Sequence, residues 1–314
     1  MELFHRETKI DFMGIRKITG FFSILLFVVS IVLLFSKGLN FSLDFTGGTQ
    51  LECRFNSSIT SLEEVRKKLA THGFHDVKLS FYGSTKDVLI RLGSKSGSNT
   101  VEVNQEIGQK VLAALQEAGK SEVELRRVEF VGAEVGENLA QQGALAVIVA
   151  LIATMVYIAF RFEFRFAISA AVALLHDPIL ILGVFAGLQL EFDLATLAAI
   201  LAVIGYSLND TIVVYDRVRE NFRKVRAEST EAILNLSINQ TLSRTLMTSA
   251  LTLLVVMALF FFGGSSLKGF STAFIIGIVI GTYSSIYIAG ALSLMLGLKR
   301  QHLMPKPKLL DDSP

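Results

Sequence analysis

Six long stretches that are almost free of charged residues constrain the fold of this sequence more than any other feature. A helix needs about 20 mostly apolar residues to cross roughly 30 Å of hydrocarbon. Hydrophobic residues make up 51% of the 314 positions and charged residues only 18%, which argues against two ordinary soluble domains. The sequence therefore predicts a mainly α membrane protein with six transmembrane helices, at residues 18–36, 138–160, 166–188, 194–215, 245–264 and 269–298.

Lysine and arginine are distributed unevenly among the loops between these spans. The two short loops on one side, residues 189–193 and 263–268, contain only Lys268. Because such residues in short loops stay in the cytoplasm, both termini (1–17 and 299–314) and the segment 216–244 are predicted to be cytoplasmic. Within that segment, residues 217–240 are expected to form an amphipathic surface helix. The predicted cytoplasmic side carries sixteen lysine and arginine residues: Arg6, Lys9, Arg16, Lys17, Arg161, Arg165, Arg217, Arg219, Arg223, Lys224, Arg226, Arg244, Lys299, Arg300, Lys306 and Lys308.

A polar block at residues 37–137 separates the first two spans and is long enough for a small extracytoplasmic domain. Its pattern predicts strands at 50–55, 77–81, 88–92 and 123–131, with one amphipathic helix before the second strand and another before the fourth. This order, βαββαβ, is typical of the ferredoxin-like fold. The alternation slips at Arg126 and Arg127, which predicts a β-bulge or an early end of the strand.

Several functional classes lack support in the residues. The net charge of +2 gives no basic surplus for nucleic-acid binding. The single cysteine, Cys53, excludes an intrachain disulfide and a multi-cysteine metal cluster. No hydrolase motif appears, and the glycine turn at residues 44–49 lacks the Gly-Lys-Ser/Thr ending of a phosphate loop. We expect neither an enzyme nor a bound cofactor.

Asp210 is the strongest candidate for a functional residue. It lies in the fourth span, beside Asn209 in a short polar cluster, and a carboxylate in a span costs at least about 2.5–3.5 kcal/mol and usually serves transport. Small residues at helical spacing mark a face for close packing on a neighbouring helix, with Asp210 at its margin: Ala195, Ala198, Ala202 and Gly205. The alternative is a carboxylate that merely reaches the cytoplasmic interface.

Arg244 and Asp210 are predicted to lie at a similar depth in the membrane. This follows from counting the helical rise per residue from the outer ends of the fourth and fifth spans. We hypothesise that the two residues pair in one state and that protonation of Asp210 releases the pair. The alternative is that Arg244 only anchors the cytoplasmic edge of its span.

His176 and Asp177 lie in the middle of the third span and could extend a proton relay. Pro178, which follows them, favours a kink. A purely structural pair is the equally open alternative.

Five glycines are predicted to serve close packing or hinges. Gly47 and Gly48 form the turn that leads into the outer domain, and Gly136 precedes the second span. Gly277 and Gly281 have the GxxxG spacing that allows the sixth span to approach a neighbouring helix closely.

Several motifs, in order along nearly the whole chain, resemble the SecF family of bacterial protein-export subunits. The residues 208–221, with the sequence LNDTIVVYDRVREN, are the most specific. The others are residues 44–49, 136–139, 241–245 and 281–287.

The resemblance implies a six-span half of the RND superfamily type that pairs with SecD in the bacterial inner membrane. It further implies use of the proton motive force to assist the SecYEG translocon in moving a polypeptide outward, with YajC as an associated protein. Asp210 and Arg244 match family positions implicated in proton passage. Two alternatives remain: half of a proton-coupled small-molecule exporter, and a structural scaffold for the translocon.

Overall fold

The structure, a computed structural model, describes residues 8–56, 58, 61–75, 77–82, 84–93, 101–117, 123–225 and 228–299. Both ends of the chain therefore lie partly outside the described residues. So do five of the sixteen basic residues named above: Arg6, Arg226, Arg300, Lys306 and Lys308.

Six helices in the described part of the chain are long and apolar enough to cross a membrane. This confirms the predicted class of fold. The six are α1 (Arg16–Lys37), α5 (Ala133–Arg161), α6 (Phe164–Leu188), α7 (Leu194–Lys224), α8 (Thr230–Phe262) and a last span formed by α9 (Lys268–Tyr283) and α10 (Ala289–Met295). Helices α6, α7 and α9 form the buried centre of the bundle, whereas α1, α5 and α8 present mostly exposed apolar side chains.

The domain between α1 and α5 is a four-stranded antiparallel sheet with two helices on one face. Its elements are β2 (Gly48–Phe55), α3 (Leu62–Thr71), β3 (Val77–Tyr82), β4 (Ser84–Leu92), α4 (Val101–Glu117) and β5 (Val123–Val131). The strand order β3-β4-β2-β5 is that of a ferredoxin-like βαββαβ fold. The register between β2 and β5 shifts between Glu52 and Cys53, which face Arg127 and Leu125, so that Arg126 is the extra residue of the predicted bulge.

Two regions differ from the prediction. Residues 217–240 do not form a separate surface helix: α7 continues to Lys224 and α8 already begins at Thr230, so the two spans project beyond the predicted membrane edge. Their projecting ends pack on each other, and Asn221 Nδ2 donates to Ser237 Oγ at 2.9 Å. The last span is interrupted by a π-helical turn at Ser284–Ile288, a feature that often marks functional sites.

Short elements tie this domain, called the outer domain here (Gly48–Val131), to the neighbouring end of the bundle. Strand β1 (Asn40–Phe41) follows α1 and pairs in parallel with β6 (Glu191–Phe192), which joins α6 to α7. Arg91 of β4 forms an ion pair with Glu191. A polar cleft of about 850 Å³ lies between the face of the sheet that carries no helices and the end of the bundle at β1 and β6, which we call the base of the outer domain.

Gly47 and Gly136 are close-packed rather than free. Gly47 follows the one-turn helix α2 (Leu43–Thr46) and has φ +65°, which favours glycine. A Cβ atom on Gly136 would lie 2.8 Å from the Gly47 backbone nitrogen. A hinge at Gly136 would therefore have to break this contact, while Gly48, with φ +122°, begins β2.

Candidate functional site

The centre of the bundle contains a polar cluster built around His176 and Asp177. Both side chains are buried, with 6% and 1% of their surface exposed. His176 Nδ1 lies 3.0 Å from Asp177 Oδ1, and Ser23 Oγ of α1 lies 2.8 Å from His176 Nε2. Asp177 Oδ2 accepts hydrogen bonds from Ser207 Oγ of α7 at 2.5 Å and from Ser284 Oγ at 2.8 Å. The Asp177 carboxylate therefore joins α6 to α7 and to the first residue of the π turn, and His176 adds the contact with α1.

Helix α6 runs unbroken through Pro178, directly after this pair. Proline lacks the N–H that would bond to the carbonyl four residues earlier, so its ring leaves the Leu174 carbonyl without that partner.

The cluster continues along α7 toward Asp210. Ser285 Oγ donates to the Ser207 carbonyl at 3.2 Å, and Thr211 Oγ1 lies 2.9 Å from Ser285 Oγ. Thr211 follows Asp210 in sequence, and Ser207 precedes Asp210 by three residues on the same side of the helix. A nearly continuous row of polar groups thus extends from His176 to the neighbourhood of Asp210.

Asp210 is itself buried, with 3% of its surface exposed. Its Oδ2 atom has no hydrogen-bond partner within the described residues, and neither has the buried Oγ1 atom of Thr245 on α8. The antiparallel helices α7 and α8 place Asp210 and Thr245 at the same level, because Tyr206 bonds to Ser249 on one side of them and Arg217 to Gln240 on the other. An unsatisfied buried carboxylate oxygen in a native fold marks a place where a proton or another partner can be accepted.

Arg244 does not form an ion pair with Asp210 within 4.0 Å in this conformation of the described chain. Its side chain is exposed, yet its charge lies within Coulombic reach of the Asp210 carboxylate. The structure therefore presents the two residues as neighbours in an unpaired arrangement.

The small-residue face of α7 is exposed along most of its length. Ala198, Ala202, Gly205 and Asn209 all lie on the surface, and nothing lies within 4 Å of a Cβ atom built on Gly205. Within the described chain this face is not packed on another helix, although its small residues predicted close packing on a neighbouring one.

Gly277 and Gly281 lie against the opposite side of α7. A Cβ atom on Gly277 would lie 2.3 Å from Val203 Cγ2, and one on Gly281 would lie 3.0 Å from Ser207 Cβ. The close approach of α9 to α7 is what lets Ser284 and Ser207 reach the same carboxylate oxygen.

Sequence patterns indicated most of the charged members of this site but missed its connections. Nothing in the sequence pointed to Ser23, because serines are common in apolar spans and their hydroxyl groups usually donate to a backbone carbonyl of the same helix. The only available hint is that serines and threonines recur in spans one, four and six. Within the described part of the chain, no group of three His, Cys, Asp or Glu side chains could hold a metal ion.

Comparison with known proteins identifies the family. A family profile described as "Protein export membrane protein SecD/SecF, C-terminal" matches residues 110–299, and the "SecD/SecF GG Motif" matches residues 32–58. The chain belongs to the SecF family. It is 47% identical over 304 residues to the protein translocase subunit SecF of Vibrio alginolyticus, covering 97% of this chain and 95% of that protein. The SecF of Pseudomonas aeruginosa is 45% identical over 308 residues, covering 97% and 98%.

Solved structures of SecDF have the same fold. The crystal structure of the translocon-associated SecDF from Thermus superimposes with a TM-score of 0.82 at 35% identity, covering 94% of this chain. A second SecDF structure, in a super-membrane-facing form, gives a TM-score of 0.68. This SecF-family chain spans 39% of each of those polypeptides. It is thus a multi-pass membrane protein and a component of protein transport.

Proposed function

We propose that this protein pairs with SecD and uses the proton motive force to assist the Sec translocon in late steps of protein translocation across the bacterial inner membrane. The observation that carries the proposal is Asp210: a buried carboxylate with an unpartnered oxygen, beside an exposed face of small residues. SecYEG, YajC and the translocating polypeptide are the further partners that membership of the family suggests.

The energetics of Asp210 support a role in proton transfer. An ionised carboxylate at this depth is costly, and binding a proton removes its charge. Each proton that moves inward through the membrane potential supplies about 2.3 kcal/mol per 100 mV. Protonation would also end the attraction to Arg244, so the two groups can alternate between a paired and an unpaired arrangement. The unpaired arrangement seen here is then one state of that cycle.

The exposed face of α7 supports a partner within the membrane. Small residues let helix backbones approach closely, and repeated transporter folds place their ion sites at the interface between two halves. Ala198, Ala202 and Gly205 would pack on SecD, which would enclose Asn209 and complete the surroundings of Asp210. His176 and Asp177 would extend the proton pathway from the inside of this half.

The orientation that we propose places both termini in the cytoplasm. The outer domain and the loop that contains β6 lie at the same end of the bundle, since β1 pairs with β6. The two short loops of that end contain one basic residue, whereas the sequence assigns sixteen to the opposite side of the membrane. The outer domain would therefore lie on the extracytoplasmic side, where a polypeptide emerges, and would move as a body when the helices shift.

Translocation into energised inner-membrane vesicles that contain this chain and SecD tests the proposal. We expect Asp210→Asn to abolish the part of translocation that depends on the proton gradient and to preserve the part that does not. Glu228→Gln, the same loss of charge at an exposed cytoplasmic carboxylate, is the matched control and should retain both parts. Unchanged gradient dependence in Asp210→Asn would refute the proton role and leave a scaffold. Gradient-driven export of small molecules without any effect on secretory precursors would instead indicate an exporter half.

A further inference from the structure

His176 and Asp177 lie at the midpoint of the 25-residue helix α6, which is the level most distant from water. Their side chains contact three other elements: α1 through Ser23, α7 through Ser207, and the π turn through Ser284. The ring of Phe27 stacks on the imidazole, with centroids 6.1 Å apart and planes 6° from parallel. The hydrogen-bond partners of this enclosed pair therefore decide which of its atoms can hold a proton.

The arrangement of hydrogen-bond partners favours Asp177 as an ionised acceptor. Its Oδ2 atom receives two hydroxyl groups, from Ser207 and Ser284, and its Oδ1 atom faces His176 Nδ1. An ionised carboxylate accepts all three of these contacts at once, whereas a protonated one has to donate a hydrogen itself, for instance to Ser284 Oγ, whose own hydrogen would then go to the Gly281 carbonyl oxygen at 3.1 Å. With Asp177 ionised, Nδ1 carries a hydrogen, which it donates to Oδ1.

The remaining ring nitrogen is the atom that can change its protonation without disturbing these bonds. Nε2 faces Ser23 Oγ at 2.8 Å, and a hydroxyl group can either donate or accept. When a proton adds to the Nε2 lone pair, the ring N–H donates to Ser23 Oγ.

We propose that His176 and Asp177 form a second proton-binding site, separate from Asp210, in which His176 Nε2 carries the proton and Asp177 stays ionised as its counter-ion. The protonated pair has no net charge, which lowers the cost of an imidazolium within the membrane. This inference deepens the proposed function, on which it rests for the source and destination of the proton.

The described residues that contact the pair carry no charge. They are Ser23 and Phe27 of α1, Ser207 of α7 and Ser284 of the π turn; the same elements also carry two titratable groups, Tyr283, which bonds to Thr19, and Asp210, one turn beyond Ser207. Within the described residues no lysine or arginine forms an ion pair with either member. The proton affinity of His176 is therefore set mainly by Asp177 and Ser23.

Solid-state NMR of the full chain in lipid bilayers tests this site directly. The protein is labelled with ¹⁵N-histidine, and signals absent from His176→Gln are assigned to His176, one of five histidines. We expect His176 to change reversibly between pH 5 and 9 from a neutral ring with hydrogen on Nδ1 to a doubly protonated ring, while the ¹³C signal of the Asp177 carboxyl group stays that of a carboxylate. A His176 ring that keeps one state throughout, or an Asp177 signal that titrates instead, would overturn the proposal.

Two variants separate the proposed roles. Asp177→Asn should weaken proton binding at His176 at least about tenfold, because it removes the counter-charge. Ser23→Ala leaves Asp177 in place and should weaken it about fivefold, since a hydrogen bond to the charged ring is stronger than one to the neutral ring. Unaltered titration in Ser23→Ala would contradict the assignment of Nε2, even if Asp177→Asn fails to fold.

The outcome is independent of the test on Asp210. Retained gradient dependence in Asp210→Asn would refute the proposed function, and a titration of His176 measured by NMR would still stand. An untitratable His176 would refute the second site and leave Asp210 as the proton carrier.

Discussion

Gly47 and Gly136 pack so tightly that a Cβ atom on Gly136 would lie 2.8 Å from the Gly47 nitrogen and 3.2 Å from the Phe45 carbonyl oxygen. The turn before the outer domain thus meets the first turns of α5 through backbone atoms alone. Backbone atoms cannot move aside as the end of a flexible side chain can, so this contact fixes how the domain joins the bundle.

Gly136→Ala is expected to destabilise the attachment of the outer domain by about 1–3 kcal/mol, the usual cost of forcing an extra methyl group into a packed site. Thermal unfolding in detergent, monitored by a thiol-reactive dye at the buried Cys53, measures this effect. Gly20→Ala on α1 is the control, because nothing lies within 4 Å of its Cβ position. Equal unfolding temperatures for the two variants would contradict the close crossing.

Ala202→Leu should prevent association with SecD without destabilising this chain. Ala202 lies on the exposed face of α7, so a larger side chain meets no group of the same chain but would clash with a partner helix. Co-purification with SecD measures the association. Gly20→Leu, a comparable enlargement on α1 at a position where nothing lies within 4 Å of a Cβ atom, should co-purify normally. Normal recovery of SecD with Ala202→Leu would show that this face is covered only by lipid.

A crosslink between the outer domain and its base should abolish gradient-dependent translocation. Arg91 and Glu191 form an ion pair across this junction, so cysteines at the two positions can be joined by a short bis-maleimide. In a Cys53→Ala background, we expect the uncrosslinked Arg91→Cys/Glu191→Cys protein to be active and the crosslinked protein to retain only gradient-independent translocation. Each single-cysteine variant treated with the same reagent is the control. Full activity of the crosslinked protein would rule out movement at this junction.

Cys53 should make the outer domain sensitive to alkaline pH. Its thiol is buried in the core of the sheet and its pKa is raised from 9.0 to about 12, mainly by burial and then by the nearby Glu52 charge. Because the pKa is higher in the folded domain, the thiol's contribution to stability is complete below pH 9 and is lost as the pH rises toward 12.

Unfolding of the wild type and of Cys53→Ala, followed by circular dichroism, measures this dependence. We expect stability to fall more steeply between pH 9 and 12 in the wild type than in Cys53→Ala. Tyrosine and lysine residues titrate in both proteins, so the difference isolates the thiol. Parallel curves would show that Cys53 ionises without unfolding.

Much of this fold could be predicted because its determinants are local. Apolar length identifies each span, and alternation identifies each strand of the outer domain, including the interruption at Arg126. The boundary between α7 and α8 could not be placed this way. Residues 217–240 are polar, and only their mutual packing, as between Asn221 and Ser237, shows that α7 and α8 continue there.

The sequence by itself determined the six spans, the ferredoxin-like order of the outer domain and the positions of Asp177 and Asp210 within apolar helices. Only the tertiary structure decided that Asp177 is held by Ser207 and Ser284, that Arg244 stands unpaired beside Asp210, and that the small-residue face of α7 is left open. The physical reason is that helices in a membrane associate through close packing and hydrogen bonds between distant segments, and these leave no periodic signal along the chain.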